Sequence, residues 1–280
     1  MKKILALFVT LLCAFPQLKA QSYVESEPFY FIQITDPQLG MIDHNKGFEK
    51  ETKIMEKVIA DINKLSPKFV VCTGDNVNKW DDQAQIDEFD RLMKLIRKDI
   101  PVYVLPGNHD IDDKISGHSL RKYRKIYGYD CFSFNVNNTC FVGFNSSLLR
   151  SQRHSEEYNQ RVWMEKVLEN AQHCNHRILF GHYPFFVHDY DESEGYNNIP
   201  MKLRKVYLDM VEKYNVSHYF AGHLHNSKNA SYKGFQMIVT NAVCHNLSEQ
   251  AVGIQIIKVY PDKIVPEYYY VDEIPSEVNL

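Results

Sequence analysis

Five runs of strand-forming residues in this chain each stop at the same kind of obstacle. FYFIQIT (29–35) runs into Asp36-Pro37-Gln38, FVVCTG (69–74) into Asp75-Asn76, and VYVLPG (102–107) into Asn108-His109-Asp110. RILFG (177–181) meets His182, and HYFAG (218–222) meets His223-Leu224-His225. Amphipathic helical spacing separates the runs: Phe48, Met55, Val58, Ile59, Ile62 and Leu65 share one helical face, and Ile86, Phe89, Leu92, Met93 and Ile96 share another. Strand alternating with helix predicts a layered α/β domain, in which ligands bind beyond the carboxyl ends of the strands. Polar strand ends spread over nearly 190 positions can therefore converge on one spot. Gly74, Gly107, Gly181 and Gly222, just before four of them, let the backbone turn sharply.

The rest of the chain adds a hairpin, CFSFNV and TCFVGF about Asn137-Asn138, because asparagine tolerates the positive φ of a two-residue turn. Helices are expected around Tyr158 to Ala171 and Met201 to Tyr214, and three closing strands, FQMIVTN, VGIQIIKVY and KIVPEYYYV, are expected to pair antiparallel. No repeat, linker or composition break interrupts 21–280, so one domain with two sheets flanked by helices is expected. Ahead of it, Lys2-Lys3, the run ILALFVTLLCAF and the segment ending at Ala20 read as a cleaved secretory signal over 1–20. That run is too short for a bilayer span, which takes about 20 apolar residues. Cys13 raises lipidation as an alternative, against which the bulky Leu11 and Leu12 argue. An exported, periplasmic or secreted protein without stable membrane insertion is the expectation. Removing Lys2, Lys3 and Lys19 leaves 29 basic residues against 35 acidic ones, net charge −6, a poor match to nucleic acid. Five cysteines remain at irregular spacing, an odd number that fits core packing better than a disulfide framework.

Carboxylate, amide and imidazole together suit divalent metals of intermediate hardness, and their number exceeds what one ion takes. Two metals fit, with a carboxylate such as Asp75 as bridge, the arrangement used for in-line displacement at phosphorus. Singly each residue has a duller reading: Asp36 serves equally as a helix N-cap and a lone histidine as a structural hydrogen-bonder. All five blocks in order make the functional reading the better one.

DPQ, GDN, GNHD, GH and GHLH in this order resemble the calcineurin-like metallophosphoesterase superfamily over essentially all of 28–272. The glutamine of DPQ and the context HYPFFVHDYDES are similar, more narrowly, to the calcineurin-like phosphoesterase-domain subgroup whose eukaryotic members are described as serine/threonine-protein phosphatases. The resemblance implies an α/β, four-layer αββα sandwich of two mixed sheets. It implies one metal on Asp36, Gln38, Asp75 and His225 and a second on Asp75, Asn108, His182 and His223. It also implies His109 as general acid, with Asp110 orienting its ring, while hydroxide activated by the two cations attacks a phosphate ester.

Most of the superfamily has histidine where Gln38 stands, and an amide oxygen is a harder, neutral ligand. Mn or Fe is therefore expected at the first position, with Mg or Zn as alternatives. Asn76, Asn78 and Asn145 are candidate substrate ligands against the commoner turn role of asparagine, and His188 with the acidic stretch 189–194 is a candidate cover against a plain solvated loop. Trp80 and Tyr196 are candidate contacts to a bound group or packing residues. The expected substrate is a phosphorylated small molecule or a phosphoprotein, and the expected state a monomer. A phosphodiesterase or nucleotide pyrophosphatase on the same centre, and a non-catalytic binding module, are the competing classes.

Overall fold

The computed structural model describes residues 27–112, 115–151 and 153–280; the leader over 1–20, with Cys13, lies outside them. Strand β1 (Phe29–Ile34), helix α1 (Glu49–Leu65), β2 (Val70–Cys72), α2 (Gln83–Met93) and β3 (Val102–Val104) form a βαβαβ start. There follow α3 (Gly117–Tyr127), the hairpin β4 (Phe132–Val136) and β5 (Thr139–Gly143), a 3-10 turn (Ser146–Arg150), α4 (His154–Asn170) and β6 (His176–Phe180). The chain ends through α5 (Met201–Lys213), β7 (His218–Ala221), β8 (Lys228–Tyr232), β9 (Phe235–Val239), β10 (Gly253–Val259) and β11 (Ile264–Tyr270). Two mixed sheets result, one in the order β11-β10-β1-β2-β3, the other β4-β5-β6-β7-β9-β8.

Strand alternation explains the layers. In β1, Phe29 and Phe31 point to a core shared by both sheets, with Phe69, Phe141, Ile178, Phe180, Phe220 and Ile257. Ile32 and Ile34 point the other way, onto Met55, Val58 and Ile62 of α1 and Ile86, Phe89 and Leu92 of α2. The second sheet repeats the division: Val142, Leu179 and Tyr219 face Leu120 of α3, Met164 and Leu168 of α4 and Tyr207 of α5. Strands buried on both faces are mainly apolar, which is why FVVC and the ILF of β6 read as unbroken hydrophobic runs. Gln33, a buried polar residue of β1, is fully satisfied: its amide donates to Thr73 Oγ1 (2.9 Å) and the Ala221 carbonyl (3.1 Å), and it accepts from Thr240 Oγ1 (2.7 Å). It ties the two sheets together close to where the polar strand ends emerge.

The expected hairpin forms, with Asn137 and Asn138 at φ 42° and 60° and Val136 opposite Thr139. Two expectations need correction. Of the closing strands, β10 and β11 pair antiparallel, but β9 lies parallel to β7, because β8 intervenes and returns the chain to the sheet's outer edge. β8, KNASY, carries no apolar run and leaves alternate residues exposed, as a terminal strand can. Helix α3 was likewise not expected; its Lys/Arg-rich sequence hides a narrow stripe, Leu120, Tyr123 and Tyr127, behind Ser116, whose hydroxyl caps the Ser119 N–H at 3.1 Å. The five described cysteines are free thiols, four of them buried.

Phe31 is fully buried, stacked on Phe69 at 4.7 Å and edge-on to Phe141, Phe180 and Phe220, so it joins the two sheets. Phe31→Ala is expected to cost about 3–5 kcal/mol in denaturant unfolding, whereas truncating the exposed Leu247 to alanine should stay within about 0.5 kcal/mol.

Candidate metal centre

The polar strand ends meet at one edge of the sandwich. Asp36 follows β1 and Asp75 follows β2, both buried. Asp75 places Oδ2 3.2 Å from His182 Nε2, beyond β6, and accepts the His109 backbone N–H on Oδ1 at 2.8 Å. Asp36 Oδ1 lies 3.4 Å from His225 Nε2 beyond β7, while its Oδ2 accepts from Thr35 Oγ1 (2.6 Å) and from the His223 N–H (3.1 Å). Two groups of donor atoms, each within 4.8 Å of one another, could hold a cation: Asp75, His182 and His223 in one, Asp36, Asp75 and His225 in the other. Asp75 belongs to both. Asn108 Oδ1, 3.1 Å from His182 Nε2, extends the first group.

Gln38 lies beside the second through its backbone. Its backbone N–H donates to the Asp75 carbonyl (2.8 Å), and its Nε2 donates to Asn78 Oδ1 (3.1 Å), which fixes the amide. That leaves Gln38 Oε1 buried without a hydrogen-bond partner. A buried carbonyl oxygen left unpaired costs about 1–3 kcal/mol, and a cation removes that cost. The donor set therefore fits two divalent ions.

Local backbone strain marks the same residues. Asp36, Gln38, Asp75, His223 and His225 have φ of 53°, 41°, 50°, 73° and 47°, left-handed values that non-glycine residues rarely adopt. The ends of β1, β2 and β7 are thus sharp reversals that carry these side chains. The packing there leaves no room for extra atoms: a Cβ on Gly107 would run into Asp75, and one on Gly222 into Thr35 and Asp36.

Every imidazole in the site is pinned by a backbone carbonyl. Nδ1 of His182 donates to Thr73 (3.0 Å), Nδ1 of His225 to His245, Nε2 of His223 to Tyr196 (3.3 Å) and Nδ1 of His109 to Asn78 (2.9 Å). A carbonyl only accepts, so the nitrogen facing it carries the proton and the opposite nitrogen is left as a ligand or proton carrier. Charge is concentrated accordingly. Burial alone would lower His182, but Asp75 and Asp36 lift it to about 9. Burial, and then the charge of His182, push His223 down to about 3, leaving it neutral. Burial raises Asp75, yet His182 and His109 hold it well below the usual carboxylate range. Protons on this cluster balance carboxylate charge that cations would otherwise balance.

Several expected roles come out differently. Asp110 does not touch the His109 ring; its carboxylate accepts backbone N–H groups of Asn76 (3.0 Å), Val77 (3.3 Å) and Gly107 (2.7 Å), holding two strand-end turns together. The Asn78 carbonyl orients His109 instead. Asn76 is buried with its side chain committed to Leu105 O (3.1 Å) and Cys72 Sγ (3.0 Å), so it is a turn brace rather than a substrate ligand. Asn145 is buried too and gives its amide to Asp130 (3.2 Å). His188 is exposed and outside the wall of the cavity beside the site, its N–H held by Glu192 (2.8 Å). Its loop is nevertheless built: the fully buried Arg204 donates to the Ile199, Tyr190 and Glu192 carbonyls at 3.1, 3.1 and 2.6 Å. That clamp brings the Tyr196 carbonyl to His223. Sequence reasoning missed the carbonyls of Asn78 and Tyr196 because any residue type supplies one.

Comparison with known proteins agrees with this geometry. The model of the calcineurin-like phosphoesterase family matches residues 29–227. The human serine/threonine-protein phosphatase CPPED1 is 32% identical over 287 residues, covering 95% of this chain and 90% of its own, and the rat protein of that name is 31% identical, covering 88% and 85%. Among solved structures, a dimetal phosphatase from Danio rerio superposes with a TM-score of 0.63 at 16% identity, covering 88% of this chain and 98% of its own. Purple acid phosphatase from yellow lupin gives 0.67 at 15% identity, over 89% of this chain and 52% of its own. By sequence model, by relatives and by the metal-ligating cluster at its strand ends, this chain belongs to the calcineurin-like phosphoesterase family and is a metallophosphoesterase.

Proposed function

We propose that the chain hydrolyses phosphomonoesters, with Asp36, Gln38, Asp75 and His225 holding one divalent cation and Asp75, Asn108, His182 and His223 the other. The observation that carries this is Asp75, the one carboxylate common to both donor groups. Cations held by these residues would neutralise charge on the phosphoryl oxygens and acidify water at neutral pH. The protein's own part is positional. With Nδ1 committed to Asn78, His109 keeps Nε2 to deliver a proton to the leaving oxygen, and it lines the cavity through which a leaving group would depart. Asp110 holds the turns bearing Asp75 and His109 in register through the backbone.

The substrate is a phosphorylated small molecule or a phosphoprotein; the names of the curated relatives favour the second, and the chain's own leader, read as an export signal over 1–20, favours the first. Gln38 supports a choice of metal: its orphaned amide oxygen favours Mn or Fe over Zn at the first position.

Metal-depleted protein reconstituted with Mn²⁺ should hydrolyse p-nitrophenyl phosphate faster than bis(p-nitrophenyl) phosphate and lose both activities to a chelator. A preference for the diester would move the assignment to a phosphodiesterase, and hydrolysis of neither would leave a binding module. His109→Ala should retain its metal but lose about 10²-fold or more in kcat for alkyl phosphates, and much less for p-nitrophenyl phosphate, whose leaving group needs no proton; equal losses would remove the acid role. Gln38→His should raise zinc affinity in competition titration against manganese, and an unchanged order would separate metal choice from this residue.

A further inference from the structure

Beside His109 and Asn108 opens a cavity of about 440 Å³ whose wall also includes Asp112, Ile115, Ser147, Arg150, Tyr183 and Tyr196. A substrate whose phosphoryl group sits at the metal cluster has the remainder of its body there. Among the described lining residues Arg150 is the one strong cation, and it is unusually well placed. Its Nη1 is anchored by the carbonyls of Gly195 (2.7 Å) and Asn198, and its guanidinium lies over the Tyr183 ring at 4.9 Å. Those contacts hold the side chain without neutralising it, since no carboxylate pairs with it among the described residues. Asp112, the acid of the wall, gives Oδ1 to the Ser116 N–H at 2.7 Å.

Ser147 supplies the second observation. It is 1% exposed, and its hydroxyl has no hydrogen-bond partner, a cost that a folded chain does not normally leave standing. Arg150, immobilised and unneutralised, and Ser147, with its buried unpaired hydroxyl, both belong to this cavity wall, and the pair has the chemistry of an oxyanion subsite, in which a planar fork and a neutral donor share one acceptor group.

We propose that this cavity is a subsite for a second anionic group on the substrate, a carboxylate or a phosphate carried by the leaving group, gripped by Arg150 and Ser147. The inference rests on the phosphomonoesterase reading and narrows it to phosphomonoesters of acidic alcohols. Arg150 and Ser147 are then specificity residues, and the tyrosine rings of 183 and 196 bound the space between the two anions.

Binding separates this inference from turnover. On Mn²⁺-loaded protein, calorimetry should find 3-phosphonopropanoate and 1,3-propanediphosphonate bound at least about tenfold more tightly than propylphosphonate, and the better of the two acids identifies the second group as carboxylate or phosphate. Ser147→Ala, which removes only an unpaired hydroxyl and should leave the thermal midpoint unlowered, and Arg150→Lys, which keeps the charge but loses the fork, should each reduce that preference several-fold. Equal affinity of all three ligands in the unaltered protein, or a preference unaffected by both substitutions, would overturn the subsite. Hydrolysis of p-nitrophenyl phosphate, followed in parallel, reports on the phosphomonoesterase reading independently of either result.

Discussion

A single buried carboxylate organises the site. Asp75 sits between two groups of metal-ligating atoms, accepts the His109 backbone N–H and faces the His182 imidazole. Burying two carboxylates this close together is costly unless positive charge is supplied, and here the His182 imidazolium supplies it, its ring lifted to about 9 by Asp75 and Asp36. The fold accepts this local strain and charge because the rest of the sandwich is apolar and closely packed. Phe31 and its aromatic neighbours join the sheets, and Gln33, with every donor and acceptor engaged, fixes their relation next to the strand ends.

The sandwich acts on the site through the backbone more than through side chains. Four histidines are each aimed by a carbonyl, Asp110 holds three backbone N–H groups, and five ligand-bearing positions are turned inward by left-handed residues. A site assembled this way is preorganised: the donor atoms are in place because the strands end where they do. Arg204 and Arg150 extend the same device to the 190–199 segment by gripping its carbonyls, and so bring the Tyr196 carbonyl to His223.

This division explains what the sequence made legible. Asp36, Gln38, Asp75, Asn108, His182, His223 and His225 could be picked out because each follows an apolar run, and a strand end fixes where a residue lies without any knowledge of loops. Two sheets flanked by helices followed from the order of apolar strands and amphipathic helices, and the four layers from the resemblance of the strand-end motifs. Asn76 and Asn145 also follow strands, yet their amides turn inward to Leu105 and Asp130, a choice set by local packing that residue type does not reveal. Asp110 misled for a similar reason: adjacency to His109 in sequence says nothing about which way its carboxylate points. The parallel placement of β9 and the existence of β8 and α3 depended on weak apolar patterns at the sheet edge and surface, where little burial is needed to form an element.

Asp75, common to both donor groups, is placed to lie between two cations. Crystals soaked in Mn²⁺ and measured at the manganese absorption edge should show two anomalous peaks about 3.5–4 Å apart, flanking the Asp75 carboxylate, one beside Gln38 and His225 and the other beside Asn108 and His182. A single peak, or peaks away from this carboxylate, would contradict it.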